Sequence, residues 1–210
     1  MPEIPAPDRI PVSRLLHPII CVFALVLVAV PTLAQRGART IPRNLAELFD
    51  QSSQVVRGRV LQAHVEQHPQ WNGLWTVVVT FRVEETFKGH AATSITFRQF
   101  IWDARDRMDA AGYRKGQHLV LLLNPPTPLG LSSPAGLDQG RFRILQDASG
   151  REWAVNGAGN AGLLHNLGSA LNRRRATLTP RVASIVAAEM PGLLELEDLR
   201  EVLAQLGRQN

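Results

Sequence analysis

The chain has 210 residues, a formal net charge of +5, one cysteine, and no internal repeat or low-complexity tract. A single cysteine excludes a disulfide framework, thiolate zinc sites and iron–sulfur clusters. In an exported protein a positive balance points to anionic envelope polymers or lipid head groups before nucleic acid, although a solvated basic surface is the simpler account.

Residues 1–34 read as a secretory signal peptide. Arg9 and Arg14 precede an apolar run at 19–30, and Pro31 breaks it. Thr32 and Ala34 occupy the small-residue positions before a cleavage site. Twelve apolar residues are too few for a spanning helix, which needs about 20. Cys21 lies inside the run behind Ile20, which disfavours lipidation. The expected product is exported to the periplasm or beyond, cleaved near Ala34, without stable membrane insertion.

Residues 35–54 form a lead-in with a short helix. Asn44 suits the N-cap, and Leu45, Leu48 and Phe49 fall on one face. Residues 55–158 carry strand signals. In the first, Val56, Gly58 and Val60 share one phase, and Leu61, Ala63 and Val65 the other. Such a switch predicts a β-bulge. After the turn cluster 68–73, residues 75–88 alternate through Trp75, Val77, Val79, Phe81 and Val83, with Glu85 breaking the apolar face. A strand this long must bend. "SITFRQF" is a third strand, 101–116 a charged excursion, and "QHLVLLL" a buried strand. Four prolines between 125 and 134 exclude regular structure there. "RFRILQ" and "REWAV" flank "DASG" as a hairpin, "VNGAGNAG" reads as a linker, and 159–210 turns helical. Thr179 and Pro180 start one helix. Leu196, Leu199, Val202, Leu203 and Leu206 line another, with Gly207 as its C′ residue.

The expected fold is mainly β: a small, bent, antiparallel barrel of five to six strands, with a short N-terminal helix and C-terminal helices. "SQVVRGRVLQ", "WTVVVTFRVEETFKG", "ITFRQ", "YRKGQHLVLLL" and "GLDQGRFRI" together resemble bacterial exported proteins of largely unknown function. Those carry an oligonucleotide/oligosaccharide-binding (OB) barrel similar to netrin-like modules and tissue inhibitors of metalloproteinases. The resemblance spans about 45–155 plus a helix near 193–206, and implies an OB-like barrel here. Animal inhibitors of this fold reach a protease zinc through an N-terminal cysteine, and the mature chain has none. Where the bacterial proteins often have a Gly-rich segment after the third strand, Phe100, Ile101 and Trp102 stand.

Candidate chemistry is sparse. His64 and His68 are about 13 Å apart along a strand, too far for one ion, so no metal and no cofactor is expected. Glu84 and Glu85 point to opposite faces unless a bulge intervenes, and arginine pairing is the simpler use of Glu85. Asp103, Asp106 and Asp109 lack the glycine of a calcium loop, and local ion pairing accounts for them. OB barrels bind through strands 2 and 3 and adjoining loops. That placement selects Trp71, Arg98, Phe100, Trp102 and Tyr113 as the candidate binding residues, with Phe100 and Trp102 serving equally well as a core plug. The expected function is a non-enzymatic interaction module for a protein or an anionic envelope polymer. The alternatives are a hydrolase with an unrecognised site and a structural envelope protein.

Overall fold

The computed structural model describes residues 41–208; the expected signal peptide and its cleavage site lie outside them. Helix α1 (Leu45–Gln51) opens the described chain. Asn44 accepts from the Glu47 amide while the Glu47 side chain accepts from the Asn44 amide, so the two cap the helix reciprocally. Then follow β1 (Gln54–His68), β2 (Trp71–Lys88) and β3 (Ser94–Phe100). The charged excursion holds a short helix, α2 (Ala104–Met108), and a 3-10 turn (Ala110–Gly112). β4 (His118–Leu123), β5 (Arg141–Gln146) and β6 (Glu152–Asn156) follow, then α3 (Leu167–Arg173), α4 (Pro180–Ala188), β7 (Leu194–Glu195) and α5 (Leu196–Gly207). Among the described residues no helix is long and apolar enough to cross a membrane.

The architecture is mainly β. One antiparallel sheet of seven strands runs β3-β2-β1-β4-β5-β6-β7, and its end strands do not pair with each other. The expected count of five to six is exceeded by β7, two residues between helices that pair with Trp153 and Ala154. Two isolated bridges lie beyond the strands. Leu131 pairs parallel with Arg98 on β3, and Pro134 pairs antiparallel with Leu123 on β4. Part of the proline-rich loop therefore stands between the sheet's outermost strand and its fourth.

β2 is longer than the alternation suggested, because Pro69 and Gln70 alone turn the chain and His68 already pairs with Trp71. At about 3.3 Å per residue its 18 residues would reach some 60 Å if straight. Bulges bend it. Val60 pairs with Phe81 and Gln62 with Thr80, leaving Leu61 as the extra residue that switches the phase of β1. Arg57 pairs with Glu85 and Gly58 with Val83, leaving Glu84 extra on β2. A Cβ on Gly58 would sit 1.9 Å from the Arg82 carbonyl oxygen, so only glycine admits this approach.

Two cores result. On one face of the bent strands lie Val56, Val60, Val77, Val79, Phe81, Phe97, Leu119, Leu121 and Leu123, closed by Ile101 and Tyr113. On the other lie Val55, Val120, Leu122, Phe142 and Ala154, packed against apolar residues of α1, α3, α4 and α5. All of β4 is buried because its alternate residues serve different cores. Thr179 caps α4 and Pro180 starts it, as its sequence predicts. Gly207 ends α5 without a left-handed backbone. A Cβ there would lie 2.4 Å from the Phe87 carbonyl oxygen, so close packing on β2 requires this glycine rather than a C′ turn. The glycine-rich segment after β6 is pinned: the Asn156 amide donates to Asn160 Oδ1, and Asn160 Nδ2 donates to the Ala154 and Gly192 carbonyls.

Candidate binding surface

The five candidate residues separate into three environments. Trp71 begins β2 and is half exposed. Phe100 ends β3 opposite Thr76, and Trp71 lies beyond Thr76 at the start of β2, past the irregular register between Trp75 and Trp71. Phe100 and Trp102 do meet: their rings are perpendicular with centroids 4.9 Å apart. Trp102 is 73% exposed, so it plugs no core. An edge-to-face pair with its outer ring in water is a ready apolar contact held by an aromatic base. Nearby, the Arg107 guanidinium lies 3.5 Å over the Trp75 ring, while Asp103 caps α2 by accepting from the Arg105 amide. These uses replace the local ion pairing expected of the excursion.

Arg98 faces its own sheet. It donates to Glu66 Oε1 at 2.6 Å and to Thr76 Oγ1 at 2.8 Å, and Thr76 in turn donates to the Glu66 carbonyl. Arg98, and after it His64, holds the Glu66 carboxyl below the usual range. The guanidinium is thus neutralised on site and is not a free cation beside the aromatics.

Tyr113 is in the interior. It is 3% exposed, its hydroxyl donates to Gln99 Oε1 at 3.0 Å, and its ring meets the edge of Phe97 at 5.8 Å. Burial pushes the phenol up to about 12, against the opposing pull of Arg141 over its ring. It lies apart from the surface on which Trp71 and Trp102 stand.

The two histidines do not share a site. His64 Nε2 lies 3.1 Å from Glu66. His68 is buried; its Nδ1 accepts from the Gln70 amide, so its Nε2 carries the proton donated to the Leu129 carbonyl at 2.8 Å.

A polar cluster on β1, β2 and α5 escapes simple strand periodicity. Because Glu84 is the extra residue of a bulge, both glutamates reach Arg57, at 3.1 and 3.0 Å. Glu85 also receives two parallel hydrogen bonds from Arg200 of α5, at 2.7 and 2.9 Å. Burial alone would push the Glu85 carboxyl up; the hydrogen bonds from Arg200 and then Arg57 outweigh it and hold it below its ordinary range. His118 is almost fully buried beside Glu84 at 3.2 Å and Glu152 at 3.6 Å. Burial, then Arg59, lowers its pKa despite those carboxylates. A general acid needs a carboxyl raised toward neutrality. Here the carboxyl that breaks the apolar face of β2 is instead fixed as an anion, and its partner comes from the far end of the chain. The phase switch in β1 signals the bulge at Leu61, not the one at Glu84, and nothing in the sequence singles out Arg200.

Comparison of the chain with family models, curated proteins and solved structures returns no match.

Proposed function

We propose that this chain is an exported, non-enzymatic binding module on an OB-like barrel, contacting a protein or an envelope polymer through aromatic side chains at the ends of β2 and β3. The observation that carries the reading is Trp102, 73% exposed yet seated on Phe100. Large aromatics held in water by a fixed scaffold are the usual anchors of recognition. Trp71 extends the surface along β2. The barrel reading is supported by the order β3-β2-β1-β4 together with the bridges at Leu131 and Pro134, which lie between β3 and β4. The polar cluster around Glu85 ties α5 to β2, a structural use of its carboxylate.

The test is crosslinking of the 35–210 chain in its native envelope. Trp102→Ala combined with Trp71→Ala is expected to reduce capture about tenfold or more while the thermal midpoint stays put. Undiminished capture by the folded double variant removes this surface. The export reading is tested separately by intact mass: a product beginning at Gln35 is expected, and one beginning at Met1 overturns it.

A further inference from the structure

β3 is the outermost strand of the sheet, and its outward backbone groups can be assigned from the register. Ile101 donates to the Trp75 carbonyl and Val83 donates to the Thr93 carbonyl. In an antiparallel pair, hydrogen-bonded and non-bonded partners alternate. Ile95, Phe97 and Gln99 therefore spend their backbone bonds on β2, opposite Phe81, Val79 and Val77. Ser94, Thr96 and Arg98 turn theirs outward. The Arg98 carbonyl confirms the assignment, since it accepts from the Ser132 amide at 2.7 Å.

That contact uses only part of the edge. The loop accompanies β3 in parallel at Leu131, then Gly130 turns it away through a hydrogen bond to the Thr127 carbonyl. Ser94 and Thr96 are left exposed, and among the described residues no backbone hydrogen bond leads outward from either. Beside Thr96, one residue pair along from Ser94, lies a cleft of about 310 Å³ lined by Thr96 and Arg98 of β3 and by Asn124, Pro126 and Gly130 of the loop. Folded proteins usually blunt such an edge with charge, proline or a bulge. "SITF" carries none of these and is rich in strand-forming residues.

We propose that the cleft is a strand-addition site, in which a short extended peptide pairs with the free backbone of Ser94 and Thr96. The loop shows that this edge accepts a parallel neighbour one residue pair away. The loop already covers the edge at Arg98, so the free stretch runs only from Ser94 to Thr96, a length that a short segment matches. A second copy pairing β3 to β3 along its length would need the Arg98 edge that the loop already covers. The site is distinct from the aromatic surface, so either can fail without the other.

The test uses acetyl-Thr-Val-Thr-Val-amide and the same peptide N-methylated at alternate residues, each titrated to millimolar concentration against ¹⁵N-labelled 35–210 chain. The plain peptide is expected to shift and protect the Ser94 and Thr96 amides saturably, and the methylated one to bind at least about tenfold more weakly. Thr96→Pro deletes an outward N–H without touching the β2 ladder and should abolish binding, while Thr96→Val retains it. Three results overturn the proposal: no shift at β3 with either peptide, equal shifts with both, or concentration-dependent shifts without peptide, which would assign the edge to a second copy of the chain.

Discussion

The two cores share strands but are assembled in opposite ways. The core inside the bent sheet draws on residues between Val56 and Leu123, from strands that follow one another closely. The core beneath the helices gathers Leu45 from one end of the described chain and Leu206 from the other. Neighbouring residues of one strand, Leu121 and Leu122, belong to different cores although both are completely buried. Burial alone thus says little about which part of the molecule a residue supports. Strand phase decides it.

That pair gives the sharpest way to break the comparison. Leu121→Ala and Leu122→Ala should each cost about 2–5 kcal/mol. Urea unfolding in backgrounds that keep one tryptophan each, Trp75, packed on the first core, or Trp153, on β6, reads the two regions separately by fluorescence. One coincident transition in both variants would mean that the shared strands make one cooperative unit. A Leu122→Ala transition that moves early only at Trp153 would mean that the helical side opens alone.

Gly58→Ala attacks the wall of the first core. Its Cβ would meet the Arg82 carbonyl at 1.9 Å, and a backbone atom cannot step aside cheaply. A loss of about 1–3 kcal/mol is expected, with disturbed amide shifts at the β1–β2 bulge. A neutral result would show that the bulge can migrate.

Glu85→Gln loosens the tie between the regions, because Arg200 belongs to α5 and Arg57 to β1. A cost of about 1–3 kcal/mol follows from the charge-assisted bonds lost. The pH dependence has a definite sign. The folded pKa of Glu85 lies below the ordinary 4.5, so its contribution is complete above that value and is lost as pH falls through the depressed folded value. Acid unfolding curves of the wild type and the variant should converge at low pH. Curves that remain parallel would remove Glu85 from the acid response.

Much of this arrangement could be read in advance. The alternation of Val77, Val79 and Phe81 gave β2 its buried face, and the phase switch after Val60 gave a bulge. Asn44 and Thr179 marked two helix starts because capping is local chemistry. What stayed hidden depended on distant partners. Glu85 and Arg200 are 115 positions apart, and no periodicity links them. Tyr113 resembles a surface aromatic until Gln99 satisfies its hydroxyl and Phe97 covers its ring. Arg98 looks free until Glu66 and Thr76 occupy its donors. β7 is too short to leave a pattern, and α2 lay in sequence too charged to suggest packing. Among the candidate binding residues, Trp102 was chosen for its position after β3, and its exposure is what a contact residue requires.

The dependence of α1 on α5 has a consequence in time. Phe49 packs within reach of Gly207, at the far end of α5. A ribosome adding roughly 5–20 residues per second needs on the order of ten seconds to travel from α1 to α5. Throughout that interval Leu45, Leu48 and Phe49 have no finished helical layer to enter, whereas the strands between Val56 and Leu123 can already find one another. The newborn chain must therefore carry a greasy helix in waiting, and its safe passage depends on how quickly its last twelve-residue helix is delivered.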